Sequence, residues 1–154
     1  MPLFLDTGIL GLLTNPKGHP VATACTQWLR DCIAAGATVC VPEIADYELR
    51  RELLLCNSVR ALEKLNILIT DIATRYVPLT TETMRCAAEY WARMRKQGTP
   101  TADQKSLDGD VILAAQANLT AVPGQPAIIV TNNVGHLARL ADARSWRDVP
   151  PGIY

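Results

Sequence analysis

Phe4-Leu5-Asp6-Thr7-Gly8 closes the first apolar run of this 154-residue sequence. The apolar side chains predict a buried strand, and Asp6 follows directly where that strand ends. In an open parallel sheet, ligands bind in the crevice outside the carboxyl ends of the strands. Asp6 is therefore either a site residue or the N-cap of a helix that starts near Ile9, since Asp commonly caps helices in this way.

The composition is that of a globular chain long enough for one domain with a sizeable core. Hydrophobic residues make up 49% of the sequence and charged residues 19%, which excludes a disordered or fibrous class. Fifteen basic residues balance fifteen acidic ones, so no overall positive field binds nucleic acid indiscriminately. We expect a single domain over residues 1–154, in which any polyanionic partner meets a local basic patch.

The cysteines predict reduced and mostly buried thiols, because their number is odd and none forms a C-x-x-C pair. A zinc site is not expected, since neither the cysteines nor the two histidines have ligand spacing. The first apolar run is too short for a signal peptide or a membrane span. We therefore expect a cytoplasmic protein with no membrane association.

Strands alternate with helices along the chain. The pattern predicts strands at 3–5, 38–41, 76–79 and 127–130, with a further edge strand near Val149. Helices are predicted at 20–35, after Pro42, and at 58–74, 80–96, 111–119 and 134–143, and a loop at 98–107. Such alternation predicts a three-layer α/β/α sandwich with a mainly parallel central sheet of four to five strands.

Glu48 lies on the helix predicted after the second strand, one turn beyond Ile44. At about 3.6 residues per turn it belongs to a stripe with apolar neighbours, which favours an inward-pointing carboxylate. The alternative is an exposed side chain paired with Arg51. Glu43 and Asp46 occupy the first turn, where negative charge suits the helix dipole and no further role is needed.

Asp108 and Asp110 flank Gly109 just before another apolar helical segment. Two helical residues at this spacing are about 200° apart, so both cannot face one ion from within a helix. Asp108 fits the N-cap, with Gly109 allowing the turn, and this favours Asp110 as a ligand. A capping role for both acids is the alternative.

These acids, with Thr131-Asn132-Asn133 after the last strand, fall where loops and helix N-termini meet the carboxyl edge of the sheet. Carboxylates gathered in one pocket repel each other, and burial raises the energy of the charged forms further. A divalent cation removes this penalty. Mg²⁺ and Mn²⁺ prefer oxygen ligands, so the acids indicate metal-assisted phosphoryl chemistry.

Four stretches occur in order across nearly the whole chain: Phe-Leu-Asp-Thr-Gly at 4–8, Val-Pro-Glu-Ile-Ala-Asp-Tyr-Glu-Leu-Arg-Arg at 41–51, Asp-Val-Ile-Leu-Ala-Ala-Gln-Ala at 110–117 and Thr-Asn-Asn-Val-Gly-His-Leu at 131–137. Together they resemble the PIN domain, most of all that of the VapC-type bacterial toxin ribonucleases. The resemblance implies a compact α/β/α domain that cleaves RNA with Mg²⁺ or Mn²⁺ held by three or four acids.

By position, the resemblance implies that Asp6, Glu48 and Asp110 hold the ion and form the catalytic set. Asp108 is a further candidate ligand. Family members often have a fourth acid two or five positions after the last strand's threonine, where this chain has Asn133 and His136. Asn133 brings a carbonyl without a charge and is kept as a candidate ligand.

Three residues are expected around the ligands without binding the ion themselves, namely Thr7, Thr131 and His136. The basic candidates for contacts to RNA phosphates are Arg50, Arg51, Arg93, Arg95 and Lys96. For each of these, an ordinary solvated surface position is the alternative. The resemblance further implies a homodimer and, for toxin members, a small antitoxin that inserts into the acidic site.

The sequence is also compatible with two other functions. A PIN-fold binding module with weak or no catalysis is favoured by the neutral side chains of Asn133 and His136. A haloacid-dehalogenase-like phosphatase also begins with an Asp after its first strand, but it needs a second acid two residues later. Gly8 occupies that position, which makes the phosphatase the weaker alternative.

Overall fold

The computed structural model describes residues 1–97 and 104–152, with the side chains of 104–106 left out. Its strands are β1 Pro2–Leu5, β2 Thr38–Pro42, β3 Thr74–Val77, β4 Ile128–Val130 and β5 Ala143–Arg144. They form one sheet in the order β3-β2-β1-β4-β5, and every pairing is parallel. The predicted parallel sheet is confirmed at five strands.

The helices are α1 Thr7–Thr14, α2 Pro20–Ala34, α3 Glu43–Leu55, α4 Val59–Thr70, α5 Thr81–Lys96, α6 Gln104–Thr120 and α7 Val134–Leu137, followed by a 3₁₀ turn at Trp146–Asp148. Gly36 ends α2 with a φ of 91°, as a glycine after a helix commonly does. Within the described ranges, no helix is long and apolar enough to cross a membrane.

The central strand β1 separates two apolar cores. Leu3 and Leu5 point to the core beneath α1, α2, α3 and α4, whereas Phe4 points to the core beneath α5 and α6. All three side chains are fully buried, because a strand with helices on both faces buries both of its sides. The three-layer α/β/α architecture predicted from the alternating elements is confirmed.

Neighbouring strands bring their carboxyl ends together at one edge of the sheet. Leu5 lies opposite Val130, and the backbone N–H of Asp6 donates to the Val130 carbonyl at 3.0 Å. The residues that follow β1 and β4, Asp6 and Thr131, are therefore immediate neighbours. On the other side of β1, α3 begins directly after β2.

Two element boundaries differ from the sequence prediction around Asp71. The helix predicted at 58–74 ends at Thr70, and the strand predicted at 76–79 is Thr74–Val77. The Asp71 side chain accepts a hydrogen bond from the Ala73 N–H at 2.9 Å, and this local turn stops the helix early.

The predictions around α6 are wrong about where the helix begins. It was expected from Val111 and begins at Gln104, because Leu107 packs into the core at 4% exposure and extends the apolar stripe by one turn. Asp108 therefore lies inside the helix and is not its N-cap. The loop predicted at 98–107 falls partly on 98–103, outside the described residues.

The C-terminal part also differs from the prediction. The helix expected at 134–143 ends at Leu137, and the edge strand is β5, not a segment near Val149. Val149 is buried, and its carbonyl accepts a hydrogen bond from the Trp28 indole at 2.7 Å. This contact ties the chain beyond β5 to α2.

Candidate active site

Asp6 is both the N-cap of α1 and the centre of a hydrogen-bonded cluster. Its Oδ1 accepts from the Thr7 N–H at 2.6 Å, and its Oδ2 accepts from the Thr131 hydroxyl at 2.6 Å. Burial raises the pKa of the Asp6 carboxyl, and the two hydrogen bonds lower it only in part. The helix cap and the candidate site are thus the same residue.

Glu48 projects from α3 toward the beginning of α1. Its Oε1 accepts from the Thr7 hydroxyl at 3.3 Å, and its Oε2 lies 4.0 Å from the Arg51 guanidinium. Burial raises the pKa of Glu48, and the nearby charge of Asp6 raises it further. The Glu48 carboxylate therefore points inward, as its position beside apolar residues predicts. It also faces Arg51, as the alternative interpretation predicts.

Gly109 lines the site in a way that the sequence did not reveal. A Cβ built at this position would lie 2.9 Å from Glu48 Oε1 and 3.1 Å from Oε2. A glycine inside a helix costs about 1 kcal/mol relative to alanine. Here the missing side chain makes room for a carboxylate, so the role predicted for Gly109 in a turn is wrong.

Asp110 completes a cluster of three carboxylates. Burial raises its pKa to about 6, together with the negative charges of Asp6 and Glu48, and His136 opposes this increase. The three acids come from separate parts of the chain, so their mutual repulsion is a product of the fold. His136 lies near enough to interact electrostatically with Asp110.

Thr131, directly after β4, binds the carboxylate cluster through Asp6. Thr131 is fully buried and accepts from the Asn133 N–H at 2.9 Å while its hydroxyl donates to Asp6. The Asn133 side chain is exposed and makes no cap bond to α7. Asn132, which the sequence analysis did not select, has its amide nitrogen 3.8 Å from the Cβ position of Gly8.

The Arg50 guanidinium is already engaged within the protein. It donates to Asp46 Oδ1 at 2.9 and 3.1 Å and to Asn66 at 2.9 Å, and Asp46 also accepts from the Tyr76 hydroxyl at 3.0 Å. Asp46 is only 7% exposed. These hydrogen bonds give Asp46 a structural role that the sequence did not indicate. They also engage the Arg50 guanidinium, so Arg50 is less available to bind a phosphate.

The other basic candidates have exposed side chains. Arg51 borders Glu48, whereas Arg93, Arg95 and Lys96 lie in the last turn of α5. Arg93 and Arg95 each place their guanidinium over an aromatic ring of α5, that of Tyr90 at 4.9 Å and that of Trp91 at 5.1 Å.

The donor set suits a hard divalent cation. The charge of Asp6 raises the pKa of Glu48, and the charges of both raise that of Asp110, so negative charge accumulates at this site. Oxygen donors are what Mg²⁺ and Mn²⁺ prefer. Among the described side chains, no group of three or more His, Cys, Asp or Glu is arranged to hold a metal ion. Mg²⁺ usually needs only one or two carboxylates, with waters and substrate phosphate completing its coordination, so the residues fit such an ion.

Solved structures share this architecture over nearly their whole length. VapBC2 from Rickettsia felis, bound to a DNA fragment from their promoter, matches with a TM-score of 0.73, covering 95% of this chain and 99% of that chain at 17% identity. The fold is PIN-like. FitAcB from Neisseria gonorrhoeae matches at a TM-score of 0.67 and 18% identity, covering 96% of this chain and 99% of that chain.

A third solved structure, VapBC-1 from nontypeable Haemophilus influenzae, has a TM-score of 0.65 at 18% identity and covers 96% of this chain and all of that one. No protein-family model and no curated protein matches the sequence. The chain thus resembles these structures in its PIN-like fold. In this chain, the residues near the carboxyl edge of the sheet include Asp6, Glu48 and Asp110.

Proposed function

We propose that this chain is a VapC-type PIN ribonuclease of the cytoplasm, which hydrolyses RNA phosphodiester bonds with Mg²⁺ or Mn²⁺. One observation supports the proposal: Asp6, Glu48 and Asp110 come from separate elements, yet the charge of Asp6 raises the pKa of Glu48, and the charges of both raise that of Asp110. A purely structural role does not account for this arrangement, because repulsion among partly buried carboxylates destabilises the fold.

Asp6, Glu48 and Asp110 would hold the ion. When bound, a divalent cation lowers the pKa of water and balances the charge that develops on a phosphate. The chain's own residues supply orientation: Thr131 and the Thr7 N–H fix the two oxygens of Asp6, and the Thr7 hydroxyl fixes Glu48. We propose that Arg51, which is exposed beside Glu48, contacts a substrate phosphate.

The proposal extends to a toxin–antitoxin pair. The three solved structures described above are of VapBC2, FitAcB and VapBC-1. A small antitoxin that covers the acidic site and a homodimer of this chain are the partners we propose. Size-exclusion chromatography with light scattering tests the homodimer, and co-expression with the product of a small adjacent reading frame tests the antitoxin.

Cleavage of RNA with and without added Mg²⁺ or Mn²⁺ tests the nuclease directly. We expect Asp6→Asn to abolish metal-dependent cleavage, because the variant loses a charge at the centre of the cluster. Asp31→Asn is the matched control, since Asp31 is an exposed acid of α2 that pairs with Gln27. Equal cleavage by the wild type and Asp6→Asn contradicts the catalytic assignment.

A PIN-fold binding module is the second candidate. It is favoured by the neutral Asn133 and by the absence, among the described side chains, of a three-residue group arranged around a metal ion. This candidate predicts that the wild type binds RNA but does not cleave it with either metal. Cleavage that depends on Asp6 excludes it.

A further inference from the structure

Two clefts share a border, and the first of them reaches the carboxylate cluster at Glu48. The first, of about 590 Å³, is lined by Tyr47, Glu48, Arg51 and Gly109, among others. The second, of about 360 Å³, includes Trp91. Asp108 and Ile112 belong to both linings, so the two clefts are adjacent, and Glu48 lines the first of them.

Each cleft presents an exposed aromatic ring with an arginine above it. Tyr47 is 56% exposed and Trp91 is 38% exposed. The Arg51 Cζ lies 5.2 Å from the Tyr47 ring centre, and the Arg95 Cζ lies 5.1 Å from that of Trp91. Each pair thus combines a flat apolar surface with a positive charge.

Exposure separates these pairs from the other arginine–aromatic contacts of the described residues. Trp146, which lies under Arg147, is 7% exposed. Tyr90, which lies under Arg93, is partly buried, and its oxygen accepts from the Asn118 amide at 2.9 Å. Those rings serve the core. The two exposed rings, in contrast, line the two adjacent clefts, and that of Tyr47 shares its cleft with Glu48.

Nucleic-acid bases stack on aromatic side chains when they are not already stacked within a duplex. Arginines beside such rings supply phosphate contacts and cation–π attraction. The acids Glu48, Glu52 and Asp108 also line the first cleft, so the phosphate contact there falls to Arg51. The side chain of Arg51 is 52% exposed, and its distance of 4.0 Å from Glu48 is long for an ion pair. Arg51 can therefore turn toward a phosphate.

We infer that Tyr47 and Trp91 are base-stacking residues that hold a single-stranded RNA across the carboxylate cluster, with Arg51 and Arg95 contacting its phosphates. The substrate class rests on the ribonuclease proposed above. The inference goes further in naming the two residues on which bases of the RNA stack. It excludes duplex RNA as the preferred ligand, because bases within a helix cannot lie on either ring.

Fluorescence anisotropy of a labelled RNA in EDTA measures binding apart from cleavage. We expect Tyr47→Ala to weaken the binding of a single-stranded oligonucleotide by about 5- to 150-fold, the range for loss of one stacked base. Tyr47→Phe keeps the ring and retains the affinity. Ile72→Ala is the matched control, since Ile72 is fully exposed but borders neither cleft.

Trp91 provides a second, spectroscopic readout. The other two tryptophans, Trp28 and Trp146, pack against each other at 6.1 Å and are each 7% exposed. We expect single-stranded RNA to quench tryptophan emission in the wild type but not in Trp91→Phe. Unchanged emission in the wild type at saturating RNA overturns the assignment of Trp91.

Kinetics distinguish failure of this inference from failure of the proposed nuclease. In the presence of metal, Tyr47→Ala should raise KM and leave kcat nearly unchanged. If the variants bind RNA more weakly but no protein cleaves it, stacking stands and the nuclease proposal fails. If the wild type cleaves RNA while Tyr47→Ala keeps its Kd and KM, or if duplex binds as tightly as single strand, the stacking inference is overturned.

Discussion

Gly109 shows how one missing side chain shapes the candidate site. Its Cα faces the Glu48 carboxylate so closely that a Cβ would lie 2.9 Å from Oε1. The obstructing group is the end of a flexible side chain, so an added methyl group displaces the carboxylate without disturbing the backbone. The position therefore separates activity from stability.

We expect Gly109→Ala to fold at least as stably as the wild type, with a gain of up to about 1 kcal/mol from helix propensity. Cleavage should fall by at least about tenfold, because Glu48 is pushed away from Asp6 and Asp110. Urea unfolding and RNA cleavage measure the two effects. Gly135→Ala is the control, since a Cβ there meets no atom within 4 Å; equal activity of both variants contradicts the role assigned to Gly109.

Asp110 makes a testable contribution to the pH dependence of stability. Its pKa is about 6 in the folded protein, compared with 3.8 for a solvated Asp. Between these values the folded state binds more protons than the unfolded state, so the free energy of unfolding falls as pH rises from about 4 to 6. Above pH 6, the ionised Asp110 carboxylate destabilises the folded state by its full amount.

We expect Asp110→Asn to raise the free energy of unfolding at pH 7.5 by about 1–2 kcal/mol in EDTA, a value reduced for solvent screening. At pH 4 the variant and the wild type should be equally stable, because Asp110 is then largely protonated. Urea titrations across this pH range give the difference. A variant that is less stable at pH 7.5 shows that Asp110 is not electrostatically repelled in the fold.

At the scale of elements, a buried glutamine joins helices and sheet. Gln116 on α6 is 1% exposed; its amide nitrogen donates to the Val77 carbonyl at 2.7 Å, and its oxygen accepts from the Ile44 N–H at 3.4 Å. The N-cap of α3, Pro42, offers no side-chain bond, so Gln116 satisfies a donor in the first turn of α3. This helix carries Glu48.

We expect Gln116→Leu to destabilise the protein by about 1–3 kcal/mol, because two buried backbone groups lose their partner. Gln27→Leu is the control: Gln27 is exposed and bonds only across one helical turn to Asp31. Chemical unfolding of both variants tests this. Equal stability of the two would mean that water or a neighbouring residue replaces the Gln116 contacts.

The sequence predicted those elements whose apolar pattern matches their burial. β1, β2 and β4 are continuous apolar runs, and the structure places all of them inside the sheet. The start of α6 escaped prediction because Gln104, Lys105 and Ser106 are polar, and only the burial of Leu107 extends the helix.

The acids of the candidate site could be predicted from the order of strands and helices along the chain. Asp6 directly follows the central strand, and Glu48 and Asp110 lie on helices that reach the same edge of the sheet. The space left by Gly109 and the ring of Tyr47 were not predicted, because each matters only through a neighbour distant in the sequence. Proximity of this kind comes from packing.

For the whole molecule, divalent cations should act on the folded state. A ligand that binds only the native protein at one hundred times its Kd stabilises it by about 2.7 kcal/mol, which corresponds to a rise in Tm of about 5–10 °C for a chain of this length. We expect Mg²⁺ or Mn²⁺ to raise the Tm of the wild type but not of Asp6→Asn. KCl at matched ionic strength is the control, and equal shifts in both proteins argue against a site at Asp6.

The parallel sheet sets an order in which the protein can assemble during synthesis. β1 is made first yet lies between β2 and β4, and the hydroxyl that binds Asp6 belongs to Thr131, which follows 125 residues later. A growing chain thus lacks the hydrogen bond that fixes Asp6 until β4 has been made and has paired with β1. The ribonuclease proposed above would therefore acquire its complete site only after most of the chain has been synthesised.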